Sequence, residues 1–122
     1  MKYLNATQIR VGNYVSFNED IIKLDGSLFA MYLQNELDKP FYPVKLTDKW
    51  LTYFGFTNSK TQDKFYNKDN TVGISTADDK FRFIQGNFVC QLILTELQYV
   101  HELQNIFYSL YGTELFVVGY GC

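Results

Sequence analysis

His101 is the only histidine in the chain. Its ordinary pKa of about 6.5 makes it the side chain best suited to exchange a proton near neutrality. On a helix spanning roughly residues 96 to 110, its neighbours one and two turns away are Leu97, Gln104, Asn105 and Tyr108. That patch can donate and accept hydrogen bonds but holds no second imidazole, thiolate or carboxylate, so it offers no zinc set. His101 is then a structural histidine in a second packing face, a contact to a partner or ligand, or the base of a hydrolase working with an acid. If the apolar stripe of the helix packs on a sheet, the face Leu97, His101, Gln104, Asn105 and Tyr108 must meet water, another subunit or a ligand.

Other constellations carry less chemistry. A Cys-His nucleophile needs Cys90 beside His101 with a depressed thiol pKa, yet Cys90 alternates with Phe88 and Leu92 as a core thiol would. The acid pairs Glu19-Asp20 and Asp78-Asp79 fall in turn-like stretches, where adjacent carboxylates are solvated. Gly12, Gly55, Gly73, Gly86 and Gly112 are scattered and build neither Gly-x-Gly-x-x-Gly nor a P-loop. Arg10, Lys23, Lys45, Lys80 and Arg82 could gather around one small anion. Arg82, between Phe81 and Phe83, lies opposite both rings on an alternating strand, either as a phosphate-binding cation or as an exposed strand arginine. The balance favours a protein without catalysis, cofactor or metal.

The composition narrows the class further. A chain of 122 residues with a net charge of -2 and 47% hydrophobic residues reads as a single domain, 1–122, that needs no disulfide or metal staple. No apolar run approaches the roughly 18 residues of a membrane span. Met1 to Ala6 lack the apolar stretch of a secretory signal, so the expectation is a cytoplasmic protein. Two cysteines, neither in a Cys-x-x-Cys pair, read as thiols. A pI of 5.3 argues against duplex nucleic acid, whose binding is driven by basic surface. Aromatic residues reach 18%, enough for a core and also for rings that stack on bases or partners.

The elements that must position these side chains follow from pattern. Tyr14-Val15-Ser16-Phe17, Ile21-Ile22-Lys23-Leu24 and Leu28 to Leu33, separated by Asn18-Glu19-Asp20 and Asp25-Gly26-Ser27, predict an N-terminal β-meander. Pro40 and Pro43 make Gln34 to Pro43 a connection. Thr47 as N-cap, a Leu46/Leu51 staple and Gly55 with Phe56 predict a short helix anchored by Trp50, Leu51 and Phe54. Thr57 to Asn70 reads as a loop around a short strand at Phe65-Tyr66. Strands are expected at Thr71–Ser75, Lys80–Ile84 and Asn87–Leu94, the last two joined through Gln85-Gly86. The capping box Thr95-x-x-Gln98 and Gly112 predict a helix from about Glu96 to Leu110, with Tyr99, Val100, Leu103, Ile106, Phe107 and Leu110 as its apolar stripe. A final short strand is expected at Leu115 to Val118.

Three segments, Ile9 to Val15, Leu46 to Phe56 and Tyr99 to Leu110, resemble small uncharacterised proteins encoded by gut Bacteroidales genomes and by their phages and prophages. The resemblance covers about half the chain. It implies a phage or mobile-element setting, hence a host-cell cytoplasm, and a shared architecture, but no mechanism.

The expected fold is α+β: antiparallel β-meanders, the first able to curl into an SH3-like half-barrel, with a short central helix and a longer C-terminal helix. The expected work is binding without catalysis by a homo-oligomer. One form is the sequestering of a small nucleotide signal of host defence, with tyrosine rings on the base and Arg10 or Arg82 on phosphate. The alternative is a structural or adaptor protein, as in a virion or an inhibitor of a host protein, acting through an aromatic surface. Candidate ligand- or partner-binding residues are Leu97, His101, Gln104, Asn105, Tyr108, Arg10 and Arg82.

Overall fold

The alternation around Asn18-Glu19 folds as a tight hairpin. In the computed structural model, which describes residues 3–59, 64–67, 72–77, 80–86 and 91–115, β1 (Tyr14–Phe17) pairs antiparallel with β2 (Asp20–Lys23), Phe17 opposite Asp20 and Tyr14 opposite Lys23. Asn18 at φ 52° and Glu19 at φ 71° supply the two left-handed residues of a type I′ turn. Val15 faces inward and joins Leu4, Ile9, Leu24 and Phe41 in a buried cluster, with Phe17 and Ile22 packed against it. Phe41 is its centre, meeting the Tyr32 ring at 4.3 Å and the Phe17 ring edge-on at 5.3 Å. The Tyr32 hydroxyl donates to the Leu4 carbonyl, which ties the N-terminal segment to the same cluster.

The expected third strand is a helix. Asp25-Gly26-Ser27, read as a turn, is instead a capping sequence: the Asp25 carboxylate accepts from the Leu28 N–H at 2.7 Å and starts α1 (Gly26–Leu33). An unbroken apolar run from Leu28 to Leu33 has neither period, so its sequence cannot separate strand from helix. As a helix it turns Leu28, Phe29 and Tyr32 onto the cluster and leaves Met31 and Leu33 exposed.

The chain divides into two compact units, the first comprising Met1–Lys45 and Tyr99–Glu114, the second Leu46–Gln98 and Leu115–Cys122. In the second, α2 (Asp48–Tyr53) has the ends its sequence predicts. Thr47 accepts from the Trp50 N–H at 3.4 Å. Gly55, at φ 88°, lets its own N–H and that of Phe56 return to the Thr52 and Leu51 carbonyls, each at 3.0 Å. Trp50, Leu51, Phe54 and Phe56 are buried.

An antiparallel sheet follows in the order β3 (Thr57–Ser59), β4 (Lys64–Tyr66), β5 (Val72–Ser75), β6 (Phe81–Gly86) and β7 (Gln91–Leu97). Thr57–Ser59 was expected as loop; its pairing with Lys64–Tyr66 makes it a strand despite its polarity. Gln85 and Gly86 are not a turn but ladder residues opposite Leu92 and Gln91. A register shift between Phe83 and Ile84 breaks the alternation, and these consecutive residues are both buried. Phe88, Cys90, Asp78-Asp79, the Asn87-to-Cys90 part of the expected strand and the expected strand from Phe116 onward lie outside the described residues.

In the first unit, α3 (Val100–Tyr111) starts later than its sequence suggests. Thr95, Glu96 and Leu97 are committed to β7, opposite Phe83, Arg82 and Phe81, so strand pairing overrides the local Thr-x-x-Gln signal. Tyr99 becomes the N-cap residue, its N–H donating to the Glu102 carboxylate at 2.9 Å. Val100 N–H bonds to the Val44 carbonyl at 2.8 Å, and a bridge joins Lys45 to Tyr99. Among the described residues, two antiparallel sheets, of two and five strands, with three helices of which the longest is C-terminal, make the fold α+β as expected.

Candidate functional site

The polar side of α3 faces its own chain. Gln104 is 1% exposed. Its Oε1 accepts from the Tyr14 N–H at 2.9 Å, and its Nε2 donates to the Gly12 carbonyl at 3.0 Å. One side-chain amide therefore occupies the edge of β1 as a backbone peptide would. Asn105 extends the contact: its Oδ1 accepts from Asn13 Nδ2 at 2.8 Å, and its Nδ2 donates to the Gln8 carbonyl at 3.3 Å. Asn13, fully buried, also accepts the Arg10 N–H on its Oδ1 at 2.8 Å. Gly12, at φ 99°, takes a backbone conformation that a side chain would strain, and a Cβ there would meet the Glu114 carboxylate at 3.0 Å.

Arg10 closes the arrangement from outside. Its guanidinium pairs with Glu114, donates to the Gln104 carbonyl at 3.1 Å and lies over the Tyr108 ring at 4.4 Å from its centroid. Arg10, Gln104, Asn105 and Tyr108 are thus brought together, and the first three spend polar groups on one another and on residues 8–14. The expectation that this helix face must meet water, a subunit or a ligand is corrected: Gln104 and Asn105 meet the Gln8–Tyr14 segment. Tyr108 remains 45% exposed.

His101 is buried at 5% exposure. Its ring stacks on Tyr99 with centroids 5.9 Å apart and planes 13° from parallel. Nδ1 has no hydrogen-bond partner among the described residues. Burial holds the imidazole below its ordinary pKa, partly offset by the neighbouring Glu102 charge, so the neutral ring is favoured.

Leu97 and Arg82 belong to the second unit. Leu97 is not on α3; it is buried in β7 opposite Phe81. Arg82 is half-buried in β6, directly opposite Glu96 in β7 and Ser75 in β5, while its neighbour Phe83 is fully buried.

Among the described residues, cavities open in the first unit at two places on which none of the seven candidates lies. One, of about 570 Å³, is lined by Ser16, Asn18, Glu19, Lys39, Pro40, Tyr42 and Pro43. Lys39 Nζ donates to Asn18 Oδ1 there at 2.7 Å, joining the hairpin turn to the proline-bearing connection. The other, of about 520 Å³, lies along Tyr3, Tyr32, Leu33 and Leu37. Lys39 and Tyr42 are not evident as site residues because Gln34 to Pro43 reads as a connection; a lysine, a tyrosine and two prolines within five positions was the available signal.

Among the described residues no group of three His, Cys, Asp or Glu side chains is placed to hold a metal ion, and no helix is long and apolar enough to cross a membrane. No protein-family model, curated protein or solved structure matches the chain.

Proposed function

We propose that this chain is a non-enzymatic binding protein that seats a small nucleotide between the β1–β2 turn and the Lys39–Pro43 segment. The observation that carries this reading is the cavity of about 570 Å³, within the range of small-ligand sites, roughly 300–1,000 Å³. It gathers complementary groups. The Tyr42 ring gives a base a face to stack on, and the Lys39 ammonium gives a phosphate its counter-charge. Ser16 and Asn18 supply hydrogen bonds, and the Glu19 carboxylate accepts from an exocyclic amine or sugar hydroxyls. The phosphate role falls to Lys39 because the Arg10 guanidinium is already held by Glu114, Gln104 and Tyr108. In its fullest form the proposal is a phage or mobile-element protein that sequesters a nucleotide signal of host defence without turning it over.

The test is calorimetric titration with a panel of mono-, di- and cyclic nucleotides, with chromatography of the recovered ligand. One class should bind and return unchanged, and Lys39→Glu or Tyr42→Ala should each weaken it at least about tenfold, or about 1.4 kcal/mol. No binding at about 1 mM, or binding indifferent to both substitutions, overturns the assignment. A second reading, an adaptor for a protein partner, is favoured by α1, which has no fully buried residue and exposes Met31 and Leu33.

A further inference from the structure

The cavity assigned to a nucleotide has a neighbour. Lys39 and Pro40 line both it and the second cavity of the first unit, so these two residues stand as a partition between recesses of about 570 and 520 Å³. The partition is held from both sides. Tyr42 exchanges backbone bonds of 2.9 Å with Ser16 of the first recess. The Phe41 carbonyl accepts from the Leu4 N–H at 2.8 Å, between Tyr3 and Asn5 of the second. Phe41 itself is fully buried between the Phe17 and Tyr32 rings. Both recesses are therefore formed before a ligand arrives, which spares binding the entropy of ordering them.

The two recesses carry matching chemistry. In the first, Tyr42 offers a ring, Asn18 an amide and Glu19 a carboxylate. In the second, Tyr3 offers an exposed ring, Asn35 an amide and Asp38 a carboxylate. Asn35, at φ 57°, turns the chain after α1, so that Leu33 and Asp38 line the same recess. Each set suits a base, with a face to stack on, an amide for its edge and a carboxylate for its amino group.

Charge decides how the two halves of a ligand are joined. Among the described lining residues Lys39 is the one cation, and it belongs to both recesses, while each recess adds one carboxylate. The Lys39 ammonium spends one of its three donors on Asn18, at 2.7 Å. One ammonium between two carboxylates matches the single charge of a phosphodiester. A pyrophosphate, a triphosphate or a longer strand brings further negative charge against Glu19 or Asp38.

We propose that the two recesses are one site and that its ligand is a free dinucleotide, two nucleosides joined by a single phosphodiester. One base stacks on Tyr42, the other on Tyr3, and the phosphate lies on Lys39 at the partition. This deepens the nucleotide reading of the first cavity and rests on it.

Calorimetry with ribodinucleoside monophosphates and with their component nucleoside monophosphates separates the two claims. The best dinucleotide should bind at least about 100-fold more tightly than either component, because its second base is delivered by a molecule already seated. Tyr3 and Leu33 are 58% and 55% exposed, so their substitution leaves the fold intact. Tyr3→Ala and Leu33→Glu should each weaken the dinucleotide at least about tenfold and leave the mononucleotide affinity of the first cavity unchanged. Embedding the same dinucleotide step in a longer single strand should also weaken it at least about tenfold. If mononucleotides bind and no dinucleotide binds more tightly, or if Tyr3→Ala and Leu33→Glu are both without effect, the inference is overturned and the first-cavity reading stands. A longer strand that binds as tightly as the dinucleotide overturns the assignment to a free ligand. Absence of binding by every nucleotide at about 1 mM overturns both readings.

Discussion

His101 illustrates how far a single side chain can be read before its surroundings are known. Its helix neighbours Gln104, Asn105 and Tyr108 were legible from spacing, because a helix fixes which residues share a face. Its burial was not, since that depends on what packs over residue 101. The consequence is a definite pH dependence. Burial holds the folded pKa below 6.5, so on acidification the unfolded chain takes up the proton first. The contribution of His101 to stability is therefore complete above about pH 6.5 and is lost as the pH falls from there toward the folded value. Melting temperatures from about pH 8 to 5 should drop more for the wild type than for His101→Gln, which has no imidazole to protonate. Parallel curves would show that the imidazole does not couple folding to protons. Arg10 shows the opposite limit: its charge was evident in the sequence, but its commitment to Glu114, 104 positions away, was not.

Elements were legible where one local rule acted alone. The ends of α2 follow from Thr47, Gly55 and Phe56, all within a few residues of the turn they satisfy. The start of α3 did not, because β6 competes for Thr95, Glu96 and Leu97 and wins them as strand. The Leu28–Leu33 run was ambiguous for another reason: uniformly apolar sequence carries no period. Nothing in the sequence matched α3 to the hairpin either, since Gln104 and Gly12 are 92 positions apart. That contact should dominate the stability of the first unit. Gln104→Ala removes two hydrogen bonds and leaves the Tyr14 N–H and Gly12 carbonyl without partners, a loss of about 2–4 kcal/mol. Urea unfolding should show it as a lower midpoint at unchanged slope. A loss under about 0.5 kcal/mol would mean that water replaces the amide at the β1 edge.

Connectivity explains how a chain read as a single domain, with a fold class recognised correctly, can still hold two compact units. The first unit is interrupted: it leaves at Lys45 and resumes at Tyr99, and these two residues are bridge partners. Composition cannot reveal such an insertion, because no linker-like stretch marks either crossing. Since Lys45 and Tyr99 are adjacent in space, replacing residues 46–98 by a short glycine linker, with the chain ended at Glu114, should leave the first unit folded. Its amide spectrum should stay dispersed and retain the hairpin and α3 signals, whereas a collapsed spectrum would show that the inserted segment is needed. The same interruption imposes an order on biosynthesis. Synthesis delivers the hairpin before strands β3 to β7 of the inserted sheet, and the helix that carries Gln104 after them. Throughout that interval the nascent hairpin must leave the Tyr14 N–H and Gly12 carbonyl to solvent. The hairpin's edge thus stays unsatisfied until a helix made after the inserted strands docks on it.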